Sequence, residues 1–288
     1  MKIVKDPGKL RTILSTSSNR GRTVGFVPTM GALHDGHLSL IRNSKRQNDA
    51  TVVSIFVNPL QFGPKEDYSR YPRPVERDTD LCEAEKVDVL FMPGAGRFYG
   101  PRHLTFVDVT EISSILCGAS RPGHFRGVTT VVAKLLNVVR PDVMYLGQKD
   151  FQQAAIIRKM VSDLDMNVKI RICPTVREKD GLALSSRNRY LSPVERGRAL
   201  GLFRSLVLAR ELCAAGERDC GRIVRKMTGL LKSLIDPSTD TIDHIAVSDS
   251  DTLQPLARIR TKAIVSLAVR IGATRLIDNM MIRSSSRP

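Results

Sequence analysis

The 288-residue sequence predicts an α/β fold: a Rossmann-like, doubly wound parallel sheet with a second, smaller α+β domain. Three observations carry that expectation. Apolar, β-branched runs alternate with helix-like stretches through about residue 174. Glycine-containing polar segments follow several of those runs, where a parallel sheet presents its ligand loops. After Cys173 the order changes to helical stretches first and short strands later.

The strands of the first domain are read as TVGFVP (residues 23–28), ATVVSIFV (50–57), VDVLFM (87–92), TFVDVT (105–110), VMYL (143–146) and VKIRIC (168–173). Continuous apolar runs of this length suit strands covered on both faces. GVTTVVAKLLNVVR (127–140) is apolar around most of a helix and so predicts a deep one, ended by Pro141. DFQQAAIIRKMVSDL (150–164) places Ala154, Ile157 and Val161 on one helical face. GAGRFYG (94–100) has the wrong glycine spacing for a dinucleotide fingerprint and is read as a turn. The domain boundary falls between residues 174 and 175. In the second domain, SPVE opens a helix with Ser192 as cap, Pro193 in the first turn and Glu195 three after the cap. Helical sequence runs on to about Leu234, then IDHIAV (242–247), KAIVSLAV (262–269) and TRLIDNM (274–280) read as strands. This domain is expected to close over the active site.

Composition narrows the function classes. Hydrophobic residues make up 42% and charged residues 26%, as in ordinary globular proteins. No apolar run reaches the roughly 18 residues of a membrane helix, and the basic N-terminus lacks the apolar stretch of a signal peptide. Five scattered cysteines without a C-x-x-C pair favour free thiols and a cytoplasmic location. The net charge is +16, with 25 Lys and Arg against 17 Asp and Glu through Val176, and 20 against 12 beyond it. That even spread, with no Trp and 5% aromatics, argues against a nucleic-acid partner and leaves room for an anionic substrate.

The chemistry concentrates in PTMGALHDGH (28–37). His34 and His37 share one face if a helix starts beside them. Zinc fits poorly, since no H-E-x-x-H spacing or nearby cysteine completes a site, and no metal ligands are assigned. Two readings stay open. The imidazoles cap a helix, or they donate to phosphoryl oxygens as charge builds, with Gly31 and Gly36 admitting phosphates to the backbone. Lys149 in GQKD offers a compact cation, and Ser185, Ser186 and Arg187 in LALSSRN offer two hydroxyls and a guanidinium. No G-x-x-x-x-G-K-[ST] is present, so this is no P-loop protein.

PTMGALHDGH resembles the H-x-G-H signature of the nucleotidyltransferases related to class I aminoacyl-tRNA synthetases. FVNPLQFGPKEDYSRYPR, RPGHFRGVTTVVAKLLNVVRPDVMYLGQKDFQQ and VREKDGLALSSRNRYLS narrow the resemblance to the pantothenate synthetase (pantoate–β-alanine ligase) family, from about Val24 to Ser192. One such motif is weak evidence; four in order are strong. The resemblance implies condensation of (R)-pantoate with β-alanine, using ATP and Mg²⁺ and releasing AMP and diphosphate, in a homodimer joined through the N-terminal domain. It implies His34, His37 and Lys149 as catalytic residues. It assigns the ATP site to Met30, Gly31, Ala32, Leu33, Asp35 and Gly36 around those histidines. Gly147, Gln148 and Asp150 flank Lys149 in the same role, and Val176, Leu184, Ser185, Ser186 and Arg187 complete it. Within that set Asp150 takes the ribose hydroxyls and the backbone near Val176 meets the adenine. Gln61 and Gln153 would hold pantoate through neutral amides, which suits a carboxylate that loses its charge on acylation. Asn58 and Tyr71 are further substrate candidates, and Arg121 and His124 further pocket residues. Gln148 stands where many members carry Glu, and Leu184 where many carry Met. Three rival functions share features with this chain. A tRNA-binding synthetase fragment would be retained on tRNA, a nucleotidyltransferase making a stable conjugate would release no AMP, and a scaffold would keep the pocket without turnover.

Overall fold

The computed structural model describes residues 1–16, 21–64 and 66–284. Six parallel strands form one sheet: β1 (Lys2–Val4), β2 (Val24–Thr29), β3 (Ala50–Ile55), β4 (Val89–Phe91), β5 (Val143–Gly147) and β6 (Lys169–Cys173). Their order across the sheet is β1-β4-β3-β2-β5-β6. The chain steps outward from β2 to β3 to β4, then returns to lay β5 along the other side of β2. That reversal opens a crevice beyond the carboxyl ends of β2 and β5, where such sheets bind ligands.

Helices cover the sheet. They are α1 (Pro7–Ser15), α2 (Asp35–Gln47), α3 (Val75–Ala84), α4 (Ala95–Tyr99), α5 (Cys117–Ser120), α6 (His124–Val139) and α7 (Phe151–Asp163). Burial of α6 on most sides matches its sequence; Phe125, Val128, Val132, Leu135 and Val139 all join the core. A fully buried side chain of this size contributes roughly 1.5–3 kcal/mol relative to exposure. Gly127 is required where α6 meets the tight helical turn Pro59–Gln61, because a Cβ there would lie 2.1 Å from the Leu60 carbonyl oxygen.

Two local expectations differ from the structure. Residues 105–110 form no strand. Their backbone is satisfied by α6 instead: the Val107 N–H donates to Thr130 Oγ1 at 3.0 Å, and the Val107 carbonyl accepts from Thr129 Oγ1 at 2.6 Å. Residues 94–100 are not a simple turn. They hold α4, which seats Phe98 against Phe56 and Phe91 before Gly100 (φ 72°) ends it.

The rest of the chain builds a second core from α8 (Pro193–Ala214), α9 (Cys220–Lys232) and an antiparallel sheet of β7 (Thr241–Ser248), β8 (Lys262–Ile271) and β9 (Thr274–Arg283). The capping box read from SPVE is present. Ser192 Oγ accepts from the Glu195 N–H, and the Glu195 carboxylate accepts from the Ser192 N–H. No helix among the described residues is long and apolar enough to cross a membrane.

Candidate active site

Four segments meet at the crevice, and each is held by identifiable bonds. The first leaves β2. Thr29 Oγ1 accepts from the Gly31 N–H at 3.1 Å and donates to the Ser54 carbonyl at 2.8 Å. Gly31 (φ 83°) and Ala32 (φ 51°) then take left-handed backbone, a conformation an alanine keeps only when its surroundings enforce it. The buried Asp78 carboxylate of α3 enforces it by accepting the N–H groups of Ala32 (2.7 Å) and Leu33 (2.8 Å).

The loop delivers His34 to the cap position of α2 and His37 to its first turn. His34 Nδ1 accepts from the Gly36 N–H at 3.2 Å, and His37 Nδ1 accepts from the His34 N–H at 3.4 Å. Gly36 is needed for this, because a Cβ there would come within 2.9 Å of the His34 ring. With Nδ1 accepting, the neutral ring carries its proton on Nε2. The helix-cap and phosphate-donor readings are therefore compatible: one nitrogen of each ring caps, and the other remains a donor. Burial, then the Lys149 charge, pushes the His34 pKa down to about 4. Burial, then His34 and Lys149, pushes His37 down to about 3. Both are uncharged at neutral pH.

The second segment follows β3. Asn58 is buried and fully spent. Its Nδ2 donates to Gln61 Oε1 and the Gly127 carbonyl, both at 3.0 Å, and its Oδ1 accepts from Tyr99 Oη at 2.6 Å and the Leu60 N–H at 3.2 Å. It braces Gln61, whose Nε2 meets, among the described residues, only the Met30 thioether, at 3.2 Å. A thioether is a weak acceptor, so that amide retains donor capacity. His124 braces the same turn. Its Nδ1 lies 2.8 Å from the Gln61 carbonyl and donates to it, its Nε2 accepts from Arg121 at 2.8 Å, and Arg121 pairs with Glu66 at 2.6 Å. Burial, then Arg121, pushes the His124 pKa down to about 4.

The third segment leaves β5 with Gly147, Gln148, Lys149 and Asp150, and α7 adds Gln153. The fourth runs from Val176 to Arg187. The Leu184 N–H bonds the Val176 carbonyl at 3.0 Å, and Ser185 Oγ accepts from the Arg187 N–H at 3.3 Å. Arg187 forms a two-point pair with Asp67, at 3.0 and 3.2 Å, and Tyr71 Oη lies 3.3 Å from Ser186 Oγ.

A cavity of about 500 Å³ opens between the two sheets. Lys149, Asp150, Gln153, Ser185 and Arg187 line it, with Asp67, Arg121, His124, Arg275 and Asn279. Met30, Gln61, Asn58, Tyr71 and the two histidines lie outside that lining. The histidine loop is nonetheless adjacent, since Lys149 depresses both imidazoles and Leu184 lies beside Gly36. No group of three or more His, Cys, Asp or Glu side chains among the described residues could hold a metal ion.

Comparisons with known proteins agree with this fold. Residues 2–281 match the model of the pantoate-beta-alanine ligase family. The pantothenate synthetase of Acetivibrio thermocellus is 51% identical over 98% of this chain and 99% of its own length. The chain belongs to the pantoate–β-alanine ligase family. The Thermotoga petrophila pantothenate synthetase is 50% identical over 98% of this chain and all of its own. Among solved structures, the Thermus thermophilus enzyme superposes with a TM-score of 0.92 at 44% identity, covering 97% of this chain and 99% of that one. A Francisella tularensis family member, complexed with beta-gamma ATP and beta-alanine, gives a TM-score of 0.80 at 36% identity over 98% and 97% of the two chains.

Within this family fold, sequence reasoning missed two kinds of residue. Asp78 is a carboxylate on the apolar side of α3, four before the buried Cys82, and that misplaced charge was its signal. Asp67 and Glu66 hold Arg187 and Arg121, and nothing in the local sequence names their partners.

Proposed function

We propose that the chain joins (R)-pantoate to β-alanine with ATP, giving (R)-pantothenate, AMP and diphosphate through a pantoyl-adenylate. A carboxylate oxygen of pantoate attacks the α-phosphorus in line and diphosphate leaves. The β-alanine amine then attacks the acyl carbon, loses a proton, and AMP departs. The observation that carries this reading is the pair of neutral imidazoles at the N-terminus of α2, each with Nδ1 spent on backbone and Nε2–H available, beside Lys149. Uncharged donors beside a lysine cation fit a leaving diphosphate, whose charge grows in the transition state. Relatives named for this ligation, and a family member holding an ATP compound and β-alanine, support the assignment.

In the same reading His34, His37, Lys149, Ser185, Ser186 and Arg187 bind the phosphates, with the residues from Met30 to Gly36 as the cradle. Gly147, Gln148, Asp150, Val176 and Leu184 take the nucleoside. Gln153, on the cavity wall, and Gln61, with its amide free to donate, hold pantoate. Asn58 acts by bracing Gln61, and Tyr71 by holding the Ser186 hydroxyl. Mg²⁺ enters with ATP as part of the substrate: such ions keep waters and few protein ligands. Five free cysteines support a cytoplasmic protein. Exposed Ile3, Leu104, Phe106 and Leu164 on the N-terminal part support a homodimer joined there.

The test is AMP release with pantoate, β-alanine and ATP, each omitted in turn, together with pantoate-dependent exchange of labelled diphosphate into ATP. Exchange without β-alanine is expected. No AMP from the complete mixture overturns the ligation; pantothenate formed with neither exchange nor trapped adenylate overturns the stepwise route.

A further inference from the structure

Strand β9 carries an anomaly in its sequence. Asp278 and Asn279 interrupt an apolar run, TRLIDNMMIR, and both are buried. Buried polar side chains need partners, and these two find theirs on the loops of the candidate ATP site. Both amide hydrogens of Asn279 are used: Nδ2 lies 2.9 Å from the Gln148 carbonyl and 2.9 Å from the Lys149 carbonyl. Asp278 pairs with Arg177 at 2.5 and 2.9 Å, and Arg177 lies over the Phe203 ring at 4.6 Å. Asp278 Oδ1 also accepts the Asn279 N–H at 2.7 Å, which couples the two.

Two consecutive carbonyls held by one planar amide fix the peptide planes on either side of the Lys149 Cα. They therefore fix the direction in which its side chain leaves the backbone. The Lys149–Asp150 contact, at 3.7 Å and beyond ordinary hydrogen-bond length, cannot do this by itself. We propose that Asn279 is a positioning residue for the adenylation step: from the antiparallel sheet it sets the backbone that aims Lys149 at the phosphates. This rests on the ligase reading given above. Asn279 needs no contact with substrate for this role; it acts through Lys149.

The test compares Asn279→Ala, Asn279→Asp, Asn279→Ser, Lys149→Ala and the Asn279→Ala/Lys149→Ala double variant in the full chain. Three quantities are read: pantoate-dependent diphosphate exchange, aminolysis of supplied pantoyl-adenylate, and melting temperature. Misaiming a catalytic group by about an ångström costs about a hundredfold, so Asn279→Ala should lower exchange by about that factor. Asn279→Asp keeps the shape but loses both donors and should fall as far, whereas Asn279→Ser keeps one donor and should recover part of the rate. Aminolysis should change by less than about threefold, and in the Lys149→Ala background Asn279→Ala should cost less than about threefold more, as coupled residues do. Equal losses in both half-reactions, or full additivity with Lys149→Ala, would show a structural brace only and overturn the proposal. Undiminished exchange in Asn279→Ala overturns it while the ligase reading stands; no exchange in the wild-type chain overturns that reading itself.

Discussion

The histidine loop and the Lys149 loop lie side by side but are held in opposite ways. Residues 29–37 are held largely from within. Thr29, His34 and His37 bond backbone groups two or three residues away, and α3 adds one carboxylate. Residues 147–150 lean on Asn279, 130 residues further along the chain. The difference follows from what each loop presents. Imidazoles must show a defined tautomer, so each ring needs one nitrogen tied down, and nearby backbone does that cheaply. An ammonium group donates in three directions and needs only its stem aimed, which a distant strand can do.

The largest effects should come from the groups both loops present. His37→Ala and Lys149→Ala should each lower the adenylation rate by about two to three orders of magnitude, the range for losing one transition-state donor. Aminolysis of supplied adenylate should suffer far less. Single-turnover measurement of each half-reaction decides, and matching losses in both would contradict a role confined to the leaving diphosphate.

Next comes the buried carboxylate that α3 lends to the histidine loop. Asp78→Ala strands two buried N–H groups, of Ala32 and Leu33, at roughly 1–3 kcal/mol each. Urea unfolding should show a loss of about 3 kcal/mol, accompanied by slower adenylation because His34 follows those residues directly. Asp78→Asn keeps one acceptor oxygen and should lose about half as much. Burial holds the Asp78 pKa above the usual carboxylate value, with its two backbone bonds pulling the other way. Stability unchanged in Asp78→Ala would mean that the loop holds itself entirely.

The same contrast governs what could be read in advance. The strand–helix alternation, the deep α6 and the cap at Ser192 are local patterns, and the structure contains all three. The histidine pair was legible as cap or donor because its bonds span two or three residues. Asp78 and Asn279 were not, because their partners lie 46 and 130 residues away. The strand expected at residues 105–110 failed for a related reason: an apolar, β-branched run cannot reveal that Thr129 and Thr130 will satisfy its backbone. β1, three residues long at the sheet edge, is too short for periodicity to announce.

Acid should separate the two loops as well. His34, His124 and His244 have pKa values pushed down to about 4, and His37 to about 3, with burial the first cause in each. Unfolded, each titrates near 6.5. The folded chain therefore binds fewer protons, and the stability these groups contribute is full above pH 6.5. It is lost as pH falls from 6.5 through about 4 and 3, at up to about 1.4 kcal/mol per pH unit per histidine. Melting temperature should drop steadily below pH 6.5, and less steeply in His37→Asn. While the chain stays folded, the adenylation rate should show no step near pH 6.5. A kinetic pKa there, removed by His37→Asn, would mean that the imidazoles act as cations and that the tautomer argument is wrong.

The smallest expected effect is the most useful control. Ser192 and Glu195 form the same reciprocal cap as His34 and His37, a side chain at the cap position and another three residues on. Ser192 is exposed at the start of α8 and lies outside the cavity lining. Ser192→Ala should remove one cap bond and cost about 1 kcal/mol of stability, with both half-reactions unchanged. The corresponding change at the other cap, His34→Ala, should lower adenylation by far more than its loss of stability explains. If the two substitutions lowered stability alike and neither altered adenylation, the histidine pair would be a cap and nothing more. If Ser192→Ala slowed adenylation, helix α8 would be coupled to the site through the adjoining Ser185–Arg187 segment, and the two caps could no longer be treated as independent.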